Sequence, residues 1–173
     1  SSVNGTAVSF VDSSLTSTST IQMRVVDAAG NNGVADTQLV TIDNTTPNGG
    51  VAVGLTIDLD TNINNDGTSN DGIINFAEKG TATSTSLTAT FDKALVSVGD
   101  TITFSDGTTT HVVALTQAMI TAGKVVDTGW ALPIDGDTMH VTAVLADVAG
   151  NATPTATDSA KLDVTLPPTP TVT

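Results

Sequence analysis

Val25-Val26-Asp27-Ala28-Ala29-Gly30-Asn31 recurs 120 residues downstream as Leu145-Ala146-Asp147-Val148-Ala149-Gly150-Asn151. Each copy runs from a strand-like apolar stretch into a tight turn, where Gly supplies positive φ and Asp bonds its own backbone. The spacing around the two copies repeats as well. Asp27 is followed by Asp43 and Pro47, Asp147 by Asp163 and Pro167, and Phe10 stands where Trp130 does. Residues 1–47 therefore match residues 121–167, the tail of a second unit. The pattern predicts one complete domain at 48–167, preceded at 1–47 by the last three strands of another, near 6–12, 20–27 and 36–43. A Pro/Thr linker at 168–173 leads to a next repeat. Half a sandwich cannot bury its apolar face alone. Ser1 is therefore expected to be a cut end, with another segment or chain completing residues 1–47.

Working outward from the repeat, β-branched residues and alternation point to strands, as in Thr101-Ile102-Thr103-Phe104 and Met139-His140-Val141-Thr142-Ala143-Val144. Asn32-Gly33, Asp71-Gly72, Asp106-Gly107 and Asp135-Gly136 punctuate them as turns. The complete domain reads as strands at 51–58, 84–91, 101–105, 109–115, 124–131, 138–146 and 155–165, with a long acidic loop at 58–80. A helical turn is expected only near Leu115 to Ala122. Seven short strands in this span fit an all-β, immunoglobulin-like Greek-key β-sandwich, here without the Cys-Trp-Cys core of antibody domains. Trp130 is expected in its core.

The 173 residues are 39% hydrophobic and 3% aromatic, with 18 acidic side chains against 5 basic ones and a formal charge of -13. Such a charge repels phosphate, which excludes the electrostatic footprint of a nucleic-acid binder. No apolar run approaches the roughly 20 residues of a bilayer-spanning helix, so membrane insertion is not expected. A secretion signal, if the chain uses one, is expected outside this sequence. With no cysteine, neither disulfides nor thiolate metal sites are available.

Glu78 is the sole Glu; every other acid is Asp. Five bases cannot neutralise this acid, which leaves divalent cations as the candidate. The segment from Asp58 to Gly72, Asp-Leu-Asp-Thr-Asn-Ile-Asn-Asn-Asp-Gly-Thr-Ser-Asn-Asp-Gly, is the strongest chemical signal. Calcium takes six to eight oxygens, and flexible Asp/Asn loops supply them. With Gly72 as the sixth position of an EF-hand-like loop, Glu78 falls at the twelfth, where a bidentate ligand belongs. Gly67 is unsuited to the first position, and Asp66 replaces it only if the loop bulges. The expected ligands are Asp58, Asp60, Asn62, Asp66, Asp71 and Glu78. The alternative is a solvated polar loop without an ion.

The Asp-x-Ala-Gly-Asn turn, the last strand and the Thr/Pro link (Asp43-Asn44-Thr45-Thr46-Pro47; Asp163 to Pro170) resemble tandem bacterial Ig-like repeats. Asn75-Phe76-Ala77-Glu78 is similar to the Asn-Ala-Ala-Glu stretch near the start of such repeats. They belong to giant, type I-secreted adhesins of the RTX or biofilm-associated kind, including an ice-binding example. The resemblance implies a calcium-stabilised extender on the bacterial cell surface, outside the cell, with neighbouring Ig-like repeats as partners.

By analogy with Ig-like sandwiches, the turn Asp147–Asn151 and the turn holding Asp92 lie at the end where the linker with Asp43 arrives. Asp43, Asp92, Asp147 and Asn151 are thus candidates for an interdomain calcium clamp. Alternatively, Asp147 and Asn151 merely stabilise their own turn. Catalytic signals are weak. Asp127-Thr128-Gly129 mimics an aspartic-protease loop, but that chemistry needs two facing carboxylates, and the repeat partner of Asp127 is Ala7. His111 and His140 lack any catalytic motif and read as strand residues. The chain is not expected to be an enzyme. The competing function is a calcium-dependent binding module for sugar, peptide or ice; few aromatics argue against sugar, and scattered Thr against ice.

Overall fold

The structure, a computed structural model, describes residues 2–4, 7–9, 15–61 and 70–171. They fall into two units, Ser1–Asn44 and Thr45–Thr173.

In the second unit, alternation drives the architecture. Strands β5 (Gly54–Ile57), β7 (Ser84–Thr90) and β10 (Lys124–Ala131) form a three-stranded antiparallel sheet in the order β10-β7-β5. Strands β6 (Ile73–Asn75), β8 (Thr101–Ser105), β9 (Thr110–Ala114), β11 (Thr138–Ala146) and β12 (Ala156–Asp163) form a second sheet in the order β6-β12-β11-β8-β9. Its pairings are antiparallel except for β6 with β12, which is parallel. The chain changes sheets at β5/β6, β6/β7, β7/β8, β9/β10 and β10/β11, the Greek-key path of an immunoglobulin-like sandwich. Every second residue faces the partner sheet: Ile57, Leu87, Ala89, Val125 and Trp130 from one, Ile74, Ile102, Phe104, Val141, Ala143, Leu145, Ala160 and Leu162 from the other.

One feature departs from the sequence expectation. The segment 58–80 is not one loop, because it contains β6 and the single-turn α1 (Phe76–Lys79). A three-residue strand carries no periodic signal of its own; here pairing with β12 creates it. The helical turn expected near 115–122 is α2 (Gln117–Ala122), started by the Thr116 side chain accepting from the Met119 amide and stopped by left-handed Gly123 (φ 72°).

Trp130 is buried because β10 carries a bulge. Gly129 at φ 91° adds a residue, so Asp127 and Trp130 both face inward although three positions apart. Asp127 Oδ2 accepts from Trp130 Nε1 at 2.8 Å and contacts His111 Nδ1 at 2.6 Å. The His111 and Trp130 rings lie 4.6 Å apart. This cluster ties edge strand β9 of one sheet to edge strand β10 of the other. Asp127 is a pin between sheets, its carboxylate bonded to Trp130 and His111 rather than facing a second carboxylate among the described residues.

Among its described residues the first unit holds two antiparallel pairs, β1 (Ser2–Asn4) with β2 (Ala7–Ser9) and β3 (Ser19–Met23) with β4 (Asp36–Val40). Of the expected strands, those near 20–27 and 36–43 coincide with β3 and β4, while much of the one near 6–12 lies outside the described residues. Ser19↔Val40 in β3–β4 corresponds, 120 residues on, to Met139↔Ala160 in β11–β12, so the two hairpins share one register. The isolated bridges Val26↔Asn32 and Ala146↔Ala152 have the same offset.

Candidate metal centre

β5 feeds the acidic segment directly. After inward-facing Ile57 the chain tightens into a 3-10 turn, Asp58–Thr61, in which Thr61 Oγ1 donates to the Asp58 carbonyl at 2.7 Å. The turn sends Asp60 into the fold, where it is 1% exposed. Asp60 then ties both ends of the acidic loop. Its carbonyl accepts from Asn70 N at 2.6 Å, and its carboxylate accepts from Gly72 N at 3.2 Å on each oxygen. Gly72 (φ 82°) and Asn70 (φ 57°) take the left-handed conformations this closure needs. Asp71 Oδ1 accepts from Ile73 N at 2.9 Å, which starts β6.

Electrostatics single out Asp60. Burial pushes its carboxyl above the ordinary value; the Gly72 hydrogen bond opposes this, and the charges of Asp71 and Asp158 add to the rise. Asp58 is also raised, by burial first, against a hydrogen bond from Thr88 and the charge of Lys124. Asp158 was not among the expected ligands. It sits on β12 with Oδ2 accepting from Ile57 N at 2.8 Å. The sequence signal existed: Ala156, Asp158, Ala160 and Leu162 share one face, and an Asp on an apolar face needs a reason.

Glu78 is 5% exposed and closes the capping box of α1. Its Oε2 accepts from Asn75 N at 2.9 Å, while Asn75 Oδ1 accepts from Ala77 N and Glu78 N. Asn62 and Asp66 lie outside the described residues. Among the described residues, no three Asp, Glu or His side chains converge as a metal site would require. The structure thus draws Asp60, Asp71 and Asp158 within electrostatic range. The donor chemistry fits a hard cation: every candidate is an oxygen, the Asp60 and Glu78 carboxylates are buried, and nearby charges destabilise the ionised form of Asp60.

The second expected set divides between the units. Asp43 follows β4 in the first. In the second, Asp147 Oδ1 accepts from Asn151 N and Oδ2 from Asn151 Nδ2, both at 2.8 Å, so this pair stabilises its own turn. Asp27 and Asn31 repeat both bonds at 2.8 Å. The Asn31 and Asn151 amides hold the Asp27 and Asp147 carboxyls below the ordinary value. Asp92 Oδ1 accepts from Ala94 N at 2.9 Å. Its loop shares an end of the sandwich with the 147–151 turn, since a Cβ on Gly99 would sit 3.5 Å from Val148 Cγ2.

Fold and loop together define an all-β, immunoglobulin-like module with an oxygen-rich acidic segment at one end. No protein-family model and no curated protein matches the chain. Two solved structures are similar at low identity. One is described as a Ca2+-stabilized adhesin that helps an Antarctic bacterium reach out and bind ice: TM-score 0.44, 20% identity, 84% of this chain and 32% of that one. The other concerns host cell surface retention of a 1.5-MDa bacterial ice-binding adhesin: TM-score 0.40, 21% identity, 84% of this chain and 42% of that one. The chain therefore spans less than half the length of either.

Proposed function

We propose that the chain is a structural extender segment of a long bacterial cell-surface adhesin, outside the cell, one of a tandem series that projects a distal binding domain for adhesion or biofilm formation. The role is mechanical and not enzymatic. The observation that carries it is the doubled hairpin: β3–β4 and β11–β12 share register, turn bonding and a 120-residue offset, which supports modules strung in tandem. Strands β10 and β11, of eight and nine residues, give such a module about 30 Å of reach at roughly 3.3 Å per residue.

The same reading makes the acidic segment a calcium site that stiffens the module. A bound calcium ion supplies positive charge and several coordination positions for oxygen. Asp58, Asp60 and Asp71 would hold it, joined by Asn62, Asp66 and Glu78 of the same segment. Asp92, Asp147 and Asn151 are proposed as ligands at the opposite end. Asp60 fastens the two ends of the loop, so holding its ionised carboxylate in place also holds the loop to β5 and β6.

Thermal unfolding with calcium and with a chelator, alongside a count of bound ions, tests this. Occupancy at ten times the dissociation constant adds about 1.4 kcal/mol per site, or roughly 3–6 °C in a unit of this size. A change of less than a couple of degrees, with no ion bound, would remove calcium from the proposal.

A further inference from the structure

The chain enters the second unit through Thr46-Pro47-Asn48-Gly49-Gly50. A Gly-Gly pair suggests a hinge by composition, but the structure holds this one in a left-handed turn. Asn48 (φ 53°, ψ 27°), Gly49 (φ 63°, ψ 22°) and Gly50 (φ 75°) are successive left-handed residues. Asn48 is buried and uses its hydrogen-bonding groups to hold the turn. Its backbone N donates to Leu95 O at 2.9 Å, Oδ1 accepts from Asp92 N at 2.8 Å, and Nδ2 donates to Val51 O at 2.9 Å and Ala52 O at 3.4 Å. One side chain thus joins the incoming segment to the loop after β7.

The chain leaves the unit through Asp163-Val164-Thr165, where Asp135 plays the matching part. Its Oδ1 accepts from Val164 N at 2.8 Å and its Oδ2 from Thr165 Oγ1 at 2.6 Å. Gly136 N to Leu162 O (2.8 Å) and Leu162 N to Asp137 O (2.9 Å) anchor the β10–β11 turn to the end of β12. The bonds from Thr165 and then Val164 hold the Asp135 carboxyl below its ordinary value, as expected for an ionised acceptor.

We propose that Asn48 and Asp135 are positioning residues that fix the direction of the chain where it enters and leaves the module, without a metal ion. The inference rests on the extender role, in which those directions set reach. The Asn48 clasp takes the Asp92 backbone N–H and not its carboxylate, so calcium and these two clasps are separate sources of stiffness. Neither side chain needs an ion for the bonds described, and a clasped turn keeps its geometry when calcium falls.

Amide hydrogen exchange on the full 173-residue chain tests this, with calcium and with chelator. Loss of a charge-assisted bond should speed exchange of the Val164 amide at least about tenfold in Asp135→Ala, and less in Asp135→Asn, which keeps an acceptor. Asn48→Ala should do the same at the Asp92 amide. Asn48→Asp tolerates the left-handed turn but turns an oxygen towards the Val51 and Ala52 carbonyls, so it should speed exchange of the Val51 amide, which donates to Asn48 O at 3.2 Å. Amides of β7 and β8 should keep their protection, which shows the fold intact. In the unaltered chain, chelator should leave Asp92 and Val164 protected. Unchanged protection in these variants, or its loss on chelation alone, overturns the proposal. A chain whose melting ignores chelator while its variants lose protection would remove calcium and leave the clasps standing.

Discussion

Glu78 Oε2 accepts the Asn75 amide hydrogen and closes the capping box of α1, a bond glutamine can also make. A carboxylate that binds a cation cannot be replaced so cheaply, because the amide lacks the charge. Glu78→Gln should therefore keep the chelated protein within about 0.5 kcal/mol of the unaltered chain and weaken calcium binding several-fold. Equal calcium affinity in a titration would leave Glu78 as a cap alone. Asp106 behaves differently. Its Oδ1 accepts from Thr108 N at 2.8 Å, Thr108 Oγ1 at 2.8 Å and Thr109 N at 2.6 Å. Partial burial raises its carboxyl, but these bonds outweigh that and leave it below the ordinary 3.8. A depressed folded value contributes stability above the unfolded value, lost as pH falls through the folded one. Asp106→Asn should cost about 1 kcal/mol near neutral pH, a difference that shrinks below about pH 4 in urea unfolding. A pH-independent cost would mean that charge plays no part in this turn.

At the scale of elements, the two sheets are pinned at one seam by Asp127. Asp127→Ala leaves Trp130 Nε1, on a ring 1% exposed, without its acceptor, and should cost about 2–3 kcal/mol. Asp127→Asn keeps an acceptor and should cost less. A loss below about 0.5 kcal/mol in denaturant unfolding of the alanine variant would show that packing alone holds β9 to β10. This pin also marks the limit of sequence reading. Alternation made β7, β8, β10 and β11 legible, because Leu87, Ile102, Val125 and Val141 fall on one face of half-buried strands. β6 was not legible, since Ile73-Ile74-Asn75 becomes a strand only beside Lys161, Leu162 and Asp163. His111–Asp127 was hidden for a related reason: the bulge at Gly129 turns both Asp127 and Trp130 inward, and strict alternation gives no hint of it. The acidic segment was plain from composition. Asp158, 101 residues from the Ile57 amide it accepts, is brought there by the pairing of sheets, which no local pattern encodes.

For the whole molecule, the doubled hairpin gives an internal comparison. β3–β4 and β11–β12 have one register, so their ladders alone do not distinguish them. Their surroundings do. Val25 is 76% exposed where its counterpart Leu145 is fully buried, and Met23 is 50% exposed where Ala143 is fully buried. A hairpin with its apolar face in water is marginal, whereas β11 sits between β8 and β12 beneath the opposite sheet. Opening β3–β4 should therefore take little free energy, and opening β11–β12 should require unfolding the second unit. Amide exchange should show protection in β11–β12 greater by at least about a hundredfold, near 2.7 kcal/mol at about 1.4 kcal/mol per decade. Calcium should widen the gap, because the acidic segment belongs to the second unit and binding there adds to that unit's opening energy. Adding strands equivalent to β5, β7 and β8 ahead of β3 should then bring its amides to the level of β11. Equal protection in the two hairpins of the chain as it stands would show that burial is not what separates them, and that the repeat is stabilised hairpin by hairpin rather than module by module.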